Sequence, residues 1–262
     1  MGSATREALS ASRDVLEGLG TIDVTSGEQL LAAGRVIGDS SPLRSALIDS
    51  TVELADRRSI VGAVFAGYTA KAKTVLEAVV SHHWSNGQQL LAGIEELGIR
   101  ALAKSAPASA SVESELFSFQ SAVASNSELE LAVSSKLGSP EAKAALVGTL
   151  VKGASRQTTA ILEHLVQQPR GRRIGELLRT AESIVAEARG KRIATVTAAA
   201  PLPRAQLTRL TKALGAKYDA ELLVHEVIDP AVIGGLRIAV GDDVIDGTIQ
   251  SRLADLRLQL AG

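Results

Sequence analysis

The sequence predicts an α+β fold, mainly helical, with a duplicated N-terminal helical bundle followed by a small C-terminal α+β domain. Three observations carry this expectation. Helix-start signals and helical periodicity fill roughly the first 190 residues. A self-similarity recurs at a constant offset of 86 residues. Past residue 190 the apolar period switches from helical to alternating.

The helix starts come first. Ser26-Gly27-Glu28-Gln29, Ser85-Asn86-Gly87-Gln88 and Ser125-Asn126-Ser127-Glu128 fit the capping box, in which a Ser hydroxyl and the residue three places on satisfy orphan N–H groups reciprocally. Ser41-Pro42 and Ser139-Pro140 place Pro at a first helical position, where its missing donor costs nothing. A first helix is expected over about 4–19. Over 172–189, Ile174, Leu177, Leu178, Ala181, Ile184, Val185 and Ala188 share one helical face.

The repeat needs no gap. Ile60-Val61-Gly62 meets Leu146-Val147-Gly148, Leu43 meets Leu129, Gly67 meets Gly153 and Glu77 meets Glu163. Apolar faces apolar between these identities, as in Val75 with Ile161 and Leu76 with Leu162. This register predicts two helical copies, 1–105 and 106–190, joined through the small, polar segment Ala103 to Val112. Helix 1 shifted by the offset lands on 90–105. Two arrangements follow: one helix closes the first bundle and opens the second, or copy two lacks a first helix.

Residues 191–262 form the expected tail. Arg192 to Thr197, Glu221 to Ile228, Leu236 to Val240 and Val244 to Asp246 read as strands. A helix follows Pro203, with Leu207, Leu210 and Leu214 on one face. A last helix carries Ile249, Leu253, Leu256 and Leu260.

Composition bounds the function. Of 262 residues, 45% are apolar and 2% aromatic, so Leu, Ala, Val and Ile do the packing. The net charge of −1 argues against a nucleic-acid partner, which calls for a dominant basic balance or face. There is no cysteine, which removes thiolate metal sites and thiol nucleophiles. No apolar run of about 18 residues is present to span a bilayer. Attachment to a membrane would therefore run through another subunit.

Catalytic patterns are equally thin. Gly234-Gly235 lacks the spacing of either phosphate-binding glycine motif. Asp242, Asp243 and Asp246 miss the alternation of a calcium loop and read as a turn. His82, His83, His164 and His225 include no i, i+4 pair. No cofactor and no metal is expected. Arg170, Arg172, Arg173 and Arg179 form a basic cluster, read either as a solvated helix start or as a contact for an acidic partner helix or anionic headgroups. Trp84 reads as a packing anchor.

Val227-Ile228-Asp229-Pro230-Ala231-Val232-Ile233-Gly234-Gly235-Leu236-Arg237-Ile238, then Gly241 to Ile249 and Arg252-Leu253, resembles the signature of the delta subunit family of bacterial F-type ATP synthases, whose mitochondrial counterpart is the oligomycin-sensitivity-conferring protein. Val196 to Leu202 fits the same family. The likeness is specific over about 112–262, and the extra helical copy resembles the longer form of high-GC Gram-positive bacteria. The motif also has a physical reading. Asp229-Pro230 starts a tight turn, Ile233 is a buried plug, and Gly234-Gly235 permits positive φ or close backbone approach. Asp246-Gly247 ends a hairpin strand, and Thr248 caps the last helix.

The resemblance implies a non-catalytic stator protein. Its helical part would bind the N-terminal segment of an alpha subunit as a helix in a groove. Its tail, marked by Asp229, Ile233, Gly234, Gly235, Asp246, Gly247 and Arg252, would bind the C-terminal end of subunit b. It would lie peripherally at the cytoplasmic face of the plasma membrane. Ala8, Val15, Leu19, Val75 and Val79 are the expected seat of the alpha segment, while the face of Ala8, Ser12, Val15 and Leu19 equally fits the lining of the bundle core. One buried helix face of about 500 Å² is worth roughly 12 kcal/mol before association costs, so the extra copy is expected to add a second contact. The competing reading is a helical adaptor of another multi-subunit complex.

Overall fold

The computed structural model describes residues 2–135, 138–241, 243–251 and 253. The chain divides into two compact units, Met1–Val185 and Ala186–Gly262. The first unit holds α1 (Ser3–Gly18), α2 (Val24–Asp39), α3 (Ser41–Ile48), α4 (Leu54–Val64), α5 (Ala70–Ser81), α6 (Gly87–Ser105), α7 (Val112–Ser125), α8 (Ser127–Ser134), α9 (Pro140–Leu150) and α10 (Arg156–Gln167). Helix α11 (Ile174–Ala188) runs from it into the tail. Copy one and copy two as far as Val185 lie in this one unit.

The offset of 86 residues separates both ends of α3 from those of α8, of α4 from α9, and of α5 from α10. It extends to individual contacts. Thr69 caps α5 and accepts from Ala72 N, and Ser155 caps α10 and accepts from Thr158 N. Gln29 Oε1 takes the Thr69 N–H at 2.8 Å, and Glu115 Oε2 takes the Ser155 N–H at 3.1 Å.

Helix α6 is the axis of the unit. Every residue from Gly93 to Ala103 is buried, the pattern of a helix surrounded by neighbours. Glycines set its approach to α2. A Cβ on Gly98 would stand 2.5 Å from Leu31 Cδ2, and one on Gly27 would stand 2.7 Å from Leu102 Cγ. Trp84 anchors the turn before α6. Its ring lies over Gly93, where a Cβ would come within 2.2 Å of Cη2, and its Nε1 donates to Val79 O at 2.8 Å. The segment 103–105, expected in the linker, completes α6 instead, which leaves 106–111 as the connection.

Three helix starts differ from the serine readings. Asp23, Asn86 and Asn126 are the caps of α2, α6 and α8, in place of Ser26, Ser85 and Ser125. Each Asx oxygen accepts from a backbone N–H of the first turn. Where Asx and Ser stand close together, an Asx side chain is an equally strong acceptor, and here it takes the position. Ser139 does cap α9, with Pro140 at its first position.

In the second unit, β1 (Lys191–Ala198) is followed by α12 (Arg204–Tyr218), β2 (Glu221–Ile228), β3 (Leu236–Val240) and β4 (Asp243–Asp246). The sheet order is β2-β1-β3-β4, with β1 parallel to β2 and antiparallel to β3. That parallel pair needs a crossover, and α12 supplies it. Leu210 and Leu214 of α12 pack with Ala194, Val196, Leu222, Ile238 and Val240. Residues 249–251 and 253 are helical. Leu256 and Leu260 of the expected last helix lie outside the described residues.

Candidate docking site

The expected seat of a partner helix falls on α1 and α5, which pack together. Of these residues Ala8, Val75 and Val79 lie in the core, each at most 1% exposed. They sit on the faces that α1 and α5 turn inward. Leu19 is half-buried against the same core, and Val15 is half-buried. The open part of α5 is a strip that sequence reading missed. Ala70 and Thr74 are exposed, and Ala78 is half-buried. Its signal was small side chains four residues apart on a single helical face.

The basic cluster is corrected as well. Arg170 and Arg172 are engaged inside the chain, by a buried carboxylate. Glu95 of α6 receives Arg172 Nη1 and Nη2 at 2.8 and 2.9 Å, and Arg170 Nη2 lies 2.6 Å from Glu95 Oε2. His164 of α10 completes the group, with Nε2 at 3.2 Å from Glu95 Oε2 and Nδ1 at 3.1 Å from Arg35 Nη1. Arg35 is donor-only, so Nδ1 accepts and the ring proton sits on Nε2, facing Glu95.

Burial by itself would raise the Glu95 pKa. Hydrogen bonds from His164 and Arg172 and the Arg170 charge outweigh it and hold the carboxyl at about 2. Burial lowers the His164 pKa, and the Arg35 and Arg170 charges push the same way against the pull of Glu95. Arg173 and Arg179 are exposed. Next to this group, Arg172 and Arg173 line a cavity of about 290 Å³ with Glu130, Val133 and Leu165.

In the tail, Asp229 Oδ1 accepts from Ala231 N at 2.9 Å and so shapes the turn through Pro230. Gly234 and Gly235 have φ of 61° and 81°. A Cβ on Gly235 would lie 2.3 Å from Gly247 O, so glycine is required there twice over. Asp246 Oδ1 accepts from Thr248 N and Oγ1 at 3.0 and 2.7 Å, and Thr248 Oγ1 accepts from Ser251 N at 3.2 Å. Gly247 N donates to Leu236 O at 2.9 Å. Arg252 lies outside the described residues, as does Asp242. Asp243 is paired with Tyr218 and lies 3.8 Å from Lys217 Nζ.

Ile233 is corrected from a buried plug to a surface residue, 66% exposed. Its backbone rounds the turn into Gly234 and Gly235, and the side chain points out. Ile249 is 48% exposed, and its Cδ1 borders Gly234. Ile228, 43% exposed, pairs with Ala198, which also pairs with Leu236. Ile228, Ile233 and Ile249 therefore gather at one end of the sheet. Three exposed isoleucines at one end of a sheet are an apolar surface open to a partner.

Comparison with known proteins agrees with the signature. The profile of the ATP synthase delta (OSCP) subunit family matches residues 99–260. An ATP synthase subunit delta of Leifsonia xyli subsp. xyli is 48% identical over 100% of both chains. The chain belongs to the ATP synthase delta (OSCP) subunit family. Subunits delta of Streptomyces griseus and Nocardia farcinica are each 34% identical, again over 100% of both chains. The delta (OSCP) profile opens within α6, so its matched span covers copy two and the tail. Copy one is shared with the full-length delta subunits.

Proposed function

We propose that the chain is the connector of the peripheral stalk of an F-type ATP synthase, a non-catalytic stator subunit that couples proton translocation to ATP synthesis. Its helical unit holds the alpha–beta head through the N-terminal segment of an alpha subunit. Its tail holds the C-terminal end of subunit b. The carrying observation is the exposed apolar end of the tail sheet, Ile228, Ile233 and Ile249, built by the residues of the delta-family signature.

A stator must resist torque, so its contacts must dissociate slowly. Nanomolar affinity corresponds to about −12 kcal/mol. An apolar sheet end supplies hydrophobic burial without catalytic groups. Among the described residues no helix is long and apolar enough to cross a membrane. On this proposal the chain is held through b and lies peripherally at the cytoplasmic face of the plasma membrane.

The test uses purified components. The chain is expected to co-elute with the alpha–beta head and with the C-terminal segment of b. Ile233→Asp is expected to lose b while keeping the head. Co-elution with neither partner contradicts the proposal.

A further inference from the structure

The repeat shows which side chains copy two lacks. In copy one, Arg44 of α3 lies across the start of α6. A Cβ on Gly87 would stand 2.8 Å from Arg44 Cδ, and Arg44 Nη1 donates to Gly38 O at 2.7 Å. Leu47 beside it is fully buried, Ile48 packs on the core, and Trp84 is buried in the turn. At the offset of 86 residues these five positions hold Glu130, Val133, Ser134, Arg170 and Arg173. Leucine has become valine and isoleucine serine, and the tryptophan is an arginine drawn to Glu95. The smaller filling leaves open the cavity of about 290 Å³ beside the charged joint.

Its floor is apolar and its wall is cationic. Val133, Leu165 and Ile174 are buried, and Arg172 and Arg173 line the cavity with them. Arg172 directs donors to Glu95 Oε1, Glu95 Oε2 and Pro169 O. A guanidinium has further N–H donors beyond those three. Arg173 is exposed, and among the described residues its guanidinium makes no bond. The guanidiniums of Arg170, Arg172 and Arg173 stand beside two carboxylates, Glu95 and Glu130. One positive charge is therefore left uncompensated next to an apolar floor. Small-molecule sites have this make-up, an apolar lining with a few placed polar groups.

We infer that this cavity binds a small organic carboxylate with a short apolar tail. The carboxylate lies against Arg172 and Arg173, in the paired geometry that guanidiniums give carboxylates. The tail covers Val133, Leu165 and Ile174. Glu130 at the edge repels a dianion, so the ligand carries a single charge. Its binding ties the turn 168–173 to α8 and so stabilises copy two. This site is separate from the contacts of the stator reading and does not depend on them.

Calorimetric titration and thermal melts of the full chain with sodium hexanoate test this. One hexanoate per chain is expected, with a melting temperature that rises with hexanoate concentration. Acetate lacks the tail and hexanol lacks the charge, and each is expected to bind roughly tenfold more weakly or worse. Arg173→Gln, at an exposed position, weakens hexanoate binding roughly tenfold or more, with unchanged circular dichroism. Val133→Leu combined with Ser134→Ile returns the copy-one residues to the cavity. That variant is expected to lose hexanoate while its ligand-free melting temperature is no lower. Absence of saturable hexanoate binding to the unsubstituted chain overturns the inference. So does binding that ignores both variants, or binding that hexanol matches.

Discussion

Glu95 and Arg172 are 77 residues apart in sequence and meet in a bidentate pair at 2.8 and 2.9 Å. The carboxylate belongs to the closing helix of copy one, and the guanidinium belongs to the turn before the closing helix of copy two. With Arg170 and His164 they form a buried charged joint between the copies. Breaking such a joint on one side strands charge on the other. Glu95→Ala is therefore expected to destabilise the helical unit by about 3–5 kcal/mol, read as a lower urea midpoint.

The same joint sets an acid limb. The Glu95 pKa is about 2 against an ordinary 4.5. A depressed carboxyl contributes stability that is present above the unfolded value and is lost as pH falls through the folded value. Stability is expected to fall between about pH 4.5 and 2, by about 3 kcal/mol from this group. Urea titrations of Glu95→Gln over that range are expected to show a shallower decline.

His164 acts at higher pH. Its folded pKa is lowered from 6.5, so below that value the unfolded chain binds the proton more readily. Stability is then lost as pH falls below the unfolded pKa and is recovered above it. His164→Gln is expected to flatten the stability profile between about pH 7 and 5, measured by thermal melts across that range.

Two glycines in helices are expected to respond oppositely to alanine. Gly98→Ala drives a Cβ into Leu31 at 2.5 Å and against Leu31 N at 3.2 Å, and is expected to cost about 1–3 kcal/mol. Gly62, inside α4, has nothing within 4 Å of such a Cβ. Gly62→Ala is expected to gain about 0.5–1 kcal/mol from helix propensity. Melting temperatures of the two variants separate the cases.

In the tail, Gly235→Ala combines a φ of 81° with a 2.3 Å overlap on Gly247 O. It is expected to open the turn that seats Ile233 beside Ile249 and to lose b binding. Ile233→Asp is expected to lose b binding with the tail still folded. Amide spectra of the two variants distinguish unfolding from loss of contact.

Much of this was legible in the residues. The β2 and β3 bounds follow from alternation ended by Asp229 and Gly241, and the repeat follows from an ungapped register of apolar positions. The roles of Gly234 and Gly235 follow from their lack of a Cβ. What escaped was tertiary. Ile233 reads as core because it is apolar inside a dense motif, yet the turn carries its side chain outward. Arg170 and Arg172 read as surface because charge usually is, yet Glu95 lies opposite them across a fold that no local pattern encodes. Ala8, Val75 and Val79 share helical faces with exposed neighbours, and periodicity alone does not say which edge of a face stays open.

The stator account is tested most directly in inverted membrane vesicles stripped of this chain and then given it back. The account predicts that stripped vesicles hydrolyse ATP without pumping protons, that the chain restores pumping, and that Ile233→Asp does not. Pumping that is equally strong with and without the chain would contradict it.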